Sequence, residues 1–137
     1  MIRSLALLVA LSLTAAVPSN AADKDISVAE FLEIWNSIDG LAINKEIEET
    51  GTFDPAKHPA FARAIGLTRS TGQAYRERIK AERAAGITPH SCLPESEVNL
   101  ESDVVIPHLR SYAPDQRQTM TLAEAFADLM ARTYPCL

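Results

Sequence analysis

The sequence predicts an all-α protein, a compact bundle of four to five helices closed by one disulfide. Apolar residues recur three and four positions apart in several segments, which is the spacing of an amphipathic helix. Two capping boxes, Ser27 to Glu30 and Thr121 to Glu124, mark helix N-termini. No stretch alternates with a period of two for long enough to form a strand.

The first residues have the three-part layout of a secretory signal. A basic start is followed by an apolar run from Leu5 to Val17, and small residues precede Ala21. We therefore predict a signal peptide over residues 1–21, with cleavage after Ala22 as the alternative, and a single helical domain over residues 22–137. The mature chain is expected to be periplasmic or secreted, without membrane insertion, because no second apolar run approaches membrane-spanning length.

The first helix of the domain is predicted to begin at the Ser27 cap and to continue for about 16 residues. A turn-rich loop is then expected from Asn44 to Pro59, because glycine, proline and aspartate cluster there. The apolar stripe that predicts this helix consists of Val28, Phe31, Leu32, Trp35, Ile38 and Leu41. Trp35 lies on the stripe and is assigned to the core.

A second helix is predicted from Pro59 or Ala60 to Ala85, with Gly86 as its C-terminal stop. Gly66 and Gly72 lie inside it, and we expect each to allow close approach of another helix. Its inward side is predicted to carry Phe61, Ile65, Thr68, Gly72, Tyr75 and Ile79.

A third helix is expected from Asn99 to Ala113, either kinked at Pro107 or ending near Val105. Its inward residues are predicted to be Leu100, Val104, Val105, Leu109 and Tyr112. A polar loop over 114–119 then precedes a fourth helix, which begins at the Thr121 cap and ends before Pro135.

The cysteines, Cys92 and Cys136, are predicted to form a disulfide, since an exported chain with a single pair usually joins it. Closing a loop of about 44 residues is worth about 4 kcal/mol of stability in the chain-entropy model. A catalytic or metal role is disfavoured, because a redox site more often uses Cys-x-x-Cys and a zinc site needs more ligands.

Charge and motifs favour a protein-binding function over an enzymatic one. The net charge of −5 disfavours nucleic-acid binding and suits a basic partner, although mild acidity also serves solubility alone. The three histidines, His58, His90 and His108, lie beside or near prolines, and no catalytic or nucleotide-binding motif occurs. We therefore expect no enzymatic activity, no cofactor and no metal.

Two loops are the candidate binding sites, because exposed loops on a rigid frame often carry function. One lies between Glu46 and His58, and the other between Arg110 and Met120. Both are alternatively ordinary surface loops, and self-association as a homodimer through the alanine faces of the last helix is a further interpretation. The candidate partner-binding residues are Glu46, Glu48, Glu49, Phe53, Tyr112, Asp115, Arg117 and Gln118.

The second half of the chain contains a pattern of cysteine, proline, alanine and aromatic residues made up of Cys92, Pro94, Leu109, Pro114, Ala123, Ala125, Leu129, Tyr134, Pro135 and Cys136. This pattern resembles the Rap/Tai family of periplasmic immunity proteins. The resemblance covers residues 66–136, although Pro107 departs from it. It implies an all-α protein that binds and neutralises a peptidoglycan amidase delivered by type VI secretion. The alternative is a non-catalytic envelope interaction or structural protein of the same fold with no toxin partner.

Overall fold

A computed structural model describes residues 26–137, and the predicted signal peptide over 1–21 lies outside these residues. No strand forms within the described residues, which confirms the all-α fold, although there are six α-helices rather than four or five. A short 3-10 turn, Pro55–Lys57, precedes the third helix. The helices are α1 (Val28–Asn36), α2 (Gly40–Thr50), α3 (Pro59–Ala84), α4 (Ser102–Ser111), α5 (Pro114–Thr119) and α6 (Leu122–Thr133).

The core forms around α3, the longest helix. Helices α1 and α6 pack on α3, α4 packs on α6 and α1, and α5 packs on α1. Four helices contribute the largest fully buried apolar side chains, which are Phe31 on α1, Ile79 on α3, Leu109 on α4 and Met130 on α6. Trp35 is partly buried against this core. Among residues 26–137, no helix combines the length and apolar character that a membrane crossing requires.

Both predicted capping boxes are present, and they lie side by side. The Ser27 and Thr121 side chains accept the backbone N–H of Glu30 and Glu124, each at 3.1 Å. Each glutamate accepts the backbone N–H of its cap residue in return, at 2.9 and 2.8 Å. An isolated antiparallel bridge joins Ser27 to Thr121, so that α1 and α6 begin next to each other.

The predicted first helix of about 16 residues is wrong, because α1 ends at Asn36 and a separate helix begins at Gly40. Two short polar side chains compete with the helix at this point. The Ser37 hydroxyl donates to the Ile34 carbonyl at 2.7 Å, and Asp39 caps α2 by accepting the Ala42 N–H at 2.9 Å. Leu41, which was expected in the core, is 83% exposed as a result.

Two segments predicted as loops are wholly or partly helical. Helix α2 continues through the glutamate-rich stretch to Thr50 and ends at Gly51, whose φ of 69° is left-handed. The predicted loop over 114–119 is the short helix α5, in which the Gln116 side chain accepts the Ala113 N–H at 3.0 Å. Proline at the first position of α5 suits a helix start as well as a loop.

Helix α3 ends one residue before the predicted end, and Gly86 follows it with a φ of 71°. The expectation of close packing holds for Gly72, where an added Cβ would lie 3.6 Å from the Phe126 ring. It is wrong for Gly66, which has no heavy atom within 4 Å of such a Cβ. Tyr75 and Ile79 are buried on α3 as predicted. Earlier in the helix the buried residues are Ala64 and Leu67, whereas Ile65 is only partly buried.

Helix α4 runs through Pro107 to Ser111, so the predicted end near Val105 is wrong. Helix α4 begins at Ser102 rather than Asn99, and of its predicted inward residues Val105 and Leu109 are buried. Ile106 is buried, whereas Val104 is 45% exposed.

Candidate partner-binding surfaces

The predicted disulfide is confirmed, and it joins the end of α6 to the loop that follows α3. The Sγ atoms of Cys92 and Cys136 are 2.03 Å apart and their Cα atoms 5.0 Å apart. The Cys92 N–H donates to the Tyr134 carbonyl at 2.8 Å, and the Arg83 guanidinium donates to the Leu93 carbonyl at 2.8 Å. The C-terminal segment is therefore fastened by a covalent bond and by main-chain hydrogen bonding.

Glu46 attaches α2 to the segment that leads into α3. Its carboxylate, only 10% exposed, accepts from Lys57 Nζ at 2.7 Å and from His58 Nε2 at 2.8 Å. The hydrogen bond from Lys57, followed by that from His58, lowers the pKa of Glu46 to about 2. This predicted partner-binding residue therefore already has partners inside the molecule.

The other three predicted residues of this region are placed differently from one another. Glu48 and Glu49 are exposed on α2. Phe53 is half-buried, with its ring stacked on His58 at a centroid distance of 5.4 Å and edge-on to Phe61 at 5.0 Å. Glu48 makes no ion pair within the described residues, whereas the Glu49 carboxylate lies 3.8 Å from Lys45 Nζ in an exposed ion pair.

Helix α2 makes few contacts with the other helices. None of its residues is fully buried, in contrast to α1, α3, α4 and α6. Leu41 in its first turn and Ile47 in its last are large apolar residues with exposed fractions of 83% and 44%. The surface of α2 therefore combines apolar side chains with the carboxylates of Glu48 and Glu49.

Tyr112, in the second predicted site, belongs to a polar network between α4 and α6. Its hydroxyl donates to Asp128 Oδ2 at 2.5 Å and lies 3.0 Å from His108 Nε2. His108 Nε2 donates to the Ala125 carbonyl at 3.0 Å, and Asp128 also accepts from Arg132 Nε at 3.1 Å. Burial and the bond to Asp128 raise the pKa of Tyr112, and the same bond lowers the pKa of Asp128.

The remaining residues of the second site lie on α5. Arg117 Nε donates to the Tyr112 carbonyl at 2.9 Å and so connects α5 with the end of α4. Asp115 and Gln118 are exposed. Asp115 and Gln118 are therefore the outward part of this site, whereas Arg117 and Tyr112 have structural contacts.

Both predicted sites adjoin α1. Arg110 Nη2 donates to Asn36 Oδ1 at 2.9 Å, which joins the end of α4 to the end of α1. Helix α2 begins shortly after Asn36, and α5 packs on α1. The fold thus brings two segments that are distant in sequence to the same helix.

The three histidines lie in separate clusters. His58 contacts Glu46, His108 contacts Tyr112, and His90 Nδ1 lies 2.9 Å from the hydroxyl of Tyr75. Within the described residues, no group of three or more histidine, cysteine, aspartate or glutamate side chains is placed to hold a metal ion. Each histidine therefore takes part in a separate polar contact that connects two segments of the fold.

One concave surface was not predicted from the sequence. A groove of about 560 Å³ lies between α3, α6 and the irregular segment 93–100. Its floor includes Leu93, Phe126 and Met130, while Arg69 and Arg76 lie along the α3 wall. Segment 93–100 has no periodic pattern, so the sequence contained no signal that would place it opposite the two arginines.

No family model, no curated protein and no solved structure matches this chain significantly. The functional proposal therefore depends on the residues of the chain and on their geometry. Of the C-terminal motif noted in the sequence, Cys92, Tyr134 and Cys136 together form the fastening at the end of α6.

Proposed function

We propose that this protein is an exported binding protein that neutralises a cell-wall-degrading toxin. The resemblance to the Rap/Tai family supports a peptidoglycan amidase delivered by type VI secretion as that toxin. The observation that carries the proposal is α2, an exposed helix with apolar and acidic side chains on a disulfide-closed frame. Exposed elements on a rigid scaffold are where binding function is usually found.

The attachment of α2 is suited to inhibition of an enzyme. Enzyme active sites lie in concave clefts, so an inhibitor that fills such a cleft must present an exposed, convex element. Glu46 holds α2 through Lys57 and His58 without burying the helix. A helix ordered before binding loses less conformational entropy on association, which favours affinity.

The exported location is supported by the disulfide and by the predicted signal over residues 1–21. Disulfides persist in oxidising compartments such as the bacterial periplasm. The Cys92–Cys136 bond is consistent with that location, and a periplasmic amidase would meet the protein there.

The neutralisation of an amidase is tested by rescue. A bacterium that exports a peptidoglycan amidase into its own periplasm should lyse, and co-export of this protein is expected to restore growth. A variant with Leu41→Asp, Glu48→Lys and Glu49→Lys should lose the rescue, because it changes the apolar and acidic surface of α2. Asp115→Lys with Gln118→Lys, both exposed on α5, tests the second candidate site and should retain the rescue when α2 makes the contact.

Circular dichroism of each variant separates loss of binding from loss of folding. If only the α5 variant loses the rescue, neutralisation stands and the assignment to α2 is wrong. If the wild-type protein neutralises none of a panel of peptidoglycan amidases and other envelope toxins, the immunity function is rejected.

An envelope interaction protein without a toxin partner, including a homodimer, is the second candidate. It is favoured by the alanine-rich side of α6, where Ala123 is exposed and Ala127 and Ala131 are partly so. Small side chains allow helices to approach closely across an interface. Sedimentation of the purified chain, and crosslinking in cells that recovers partners other than toxins, would support this alternative.

A further inference from the structure

We propose that the groove between α3, α6 and segment 93–100 binds an extended, acidic segment of a partner polypeptide. Carboxylates of that segment pair with Arg69 and Arg76, and its apolar side chains contact the groove floor. This site is separate from α2 and does not depend on the partner being a toxin.

The basic wall consists of Arg69 and Arg76, which belong to a row of three arginines spaced seven residues apart on α3. Arg69, Arg76 and Arg83 share one face, since seven residues make nearly two full turns. Arg83 donates to the Leu93 carbonyl and so fixes one end of segment 93–100. Arg69 and Arg76 form no ion pair with any residue in the described part of the chain. Their guanidinium groups therefore remain available to a ligand.

The charge of α3 is opposite in sign to that of the whole protein. Helix α3 contains six lysine and arginine residues and two glutamates, whereas the chain has a net charge of −5. A planar guanidinium pairs with a carboxylate through two parallel hydrogen bonds, which is stronger and more specific than a neutral contact. The two free arginines thus favour a ligand with carboxylates about 10 Å apart, the rise of seven helical residues.

The groove floor favours a polypeptide over other anions. Leu93, Leu100, Phe126 and Met130 contribute apolar surface between the two walls. The volume of about 560 Å³ lies within the range of roughly 300–1,000 Å³ found for ligand sites. A peptide presents apolar side chains next to carboxylates, whereas a nucleic acid presents phosphates along its whole length.

Glu97 gives the proposal an internal check. It lines the wall opposite the arginines and is exposed. A like charge near the bound carboxylates opposes binding, so that Glu97→Gln should strengthen binding of an acidic peptide by about twofold at low salt. Tyr75 is the other titratable side chain that lines the groove, and its hydroxyl is bonded to Ser91.

The test uses the disulfide-bonded protein and a fluorescein-labelled peptide, Gly-Glu-Leu-Ala-Glu-Leu-Ala-Gly. In an extended polyproline II conformation, which has three residues per turn, its two glutamates lie on the same side of the chain, about 9 Å apart. Fluorescence anisotropy should show binding that weakens as salt rises, and at least tenfold weaker binding for Arg69→Gln with Arg76→Gln. Arg63→Gln is the matched control, since Arg63 is exposed on α3 about 120° around the helix from Arg69, and should change affinity by less than twofold.

Several results would overturn the proposal. The first is that a peptide with both glutamates replaced by glutamine binds as tightly as the original peptide. The second is that the Arg63 variant loses as much affinity as the double arginine variant. The third is that the Glu97 variant binds the peptide no more tightly than the wild type. Arginine-dependent binding to phosphatidylglycerol vesicles that is tighter than binding to the peptide would assign the basic wall to a membrane surface instead. Circular dichroism and urea denaturation confirm that each variant is folded.

Discussion

Glu46 shows how a single charged side chain can hold a helix that contributes nothing to the core. Its carboxylate accepts hydrogen bonds from Lys57 and His58, and it lies 3.4 Å from the Asp54 backbone nitrogen. These donors stabilise the ionised form and lower the pKa of Glu46 to about 2. The attachment of α2 must therefore depend on pH.

We predict that α2 stays attached above about pH 4.5, the ordinary pKa of glutamate, and loosens as the pH falls toward 2. A lowered pKa in the folded state gives stability that is complete above the unfolded-state pKa and is lost on protonation. In Glu46→Gln this pH dependence should be reduced, whereas Glu48→Gln, at an exposed position, should behave as the wild type. NMR chemical shifts of the α2 amides between pH 2 and 6 provide the measurement, and identical titration curves for the Glu46 variant and the wild type would contradict the prediction.

Tyr112 is predicted to stabilise the contact between α4 and α6 through its hydroxyl. Tyr112→Phe removes the donor to Asp128 and should lower the free energy of unfolding by about 1 kcal/mol, the usual net value of such a bond. Tyr134→Phe is the matched control, because the Tyr134 hydroxyl makes no hydrogen bond within residues 26–137, and should cost less than 0.5 kcal/mol, roughly the effect of a neutral substitution. Urea denaturation followed by circular dichroism measures both, and equal losses would show that the bond to Asp128 contributes little.

The roles of these two side chains could not be predicted from the sequence. The partners of Glu46 lie 11 and 12 residues away, and Asp128 lies 16 residues from Tyr112. Local spacing rules extend over three or four residues in a helix and give no information at those separations. The Ser27 and Thr121 caps were predicted correctly because both partners lie three residues apart.

At the level of the helices, the boundaries that local sequence signals mark clearly were predicted correctly, and the others were not. Helix α3 was predicted almost to the residue, because Pro59 and Gly86 mark its ends chemically. The break between α1 and α2 was missed, because an apolar stripe continued past Ser37 and Asp39. The hydrogen bonds of the short polar side chains of Ser37 and Asp39 to the backbone end one helix and start the next, although the apolar residues alone would have favoured a single continuous helix.

Two glycine substitutions should have opposite effects on stability. Gly66→Ala is expected to raise the free energy of unfolding by about 0.5–1 kcal/mol, since Gly66 lies inside α3 with space for a Cβ. Gly51→Ala should lower it by about 1 kcal/mol, because the φ of 69° at the end of α2 is strained for alanine. Thermal and urea denaturation give the sign of each change. A destabilising Gly66→Ala would contradict the open space that surrounds Gly66 within the described residues.

At the scale of the whole molecule, one covalent bond closes α4, α5 and α6 into a loop. The cysteines are separated by 44 positions in the sequence. Prediction of this bond from the sequence needed only the count of cysteines and the predicted secretory signal, so it did not depend on correct helix boundaries. The groove beside it depends on how segment 93–100 is placed, and no local pattern indicates that.

We predict that Cys92→Ser with Cys136→Ser lowers the free energy of unfolding by about 4 kcal/mol, the chain-entropy value for a loop of this length. Urea denaturation of the double variant and of the oxidised wild type measures the difference. Reduction of the wild type with dithiothreitol should give the same loss, which controls for effects of the serines. A difference below about 1 kcal/mol would show that the unfolded chain is already restricted near this loop.

The bridge between Ser27 and Thr121 has a consequence for the timing of folding. The Val28 N–H donates to the Met120 carbonyl, and the Leu122 N–H donates to the Ile26 carbonyl, at 2.9 and 2.8 Å. For a chain that emerges N-terminus first, from a ribosome or a membrane pore, the first helix must wait for nearly the last one before these bonds can form. Such long-range closure slows folding. For a chain exported as proposed, delayed closure of this contact would keep the polypeptide unfolded enough to pass through a pore, and both thiols would stay accessible to an oxidant until Cys136 had emerged.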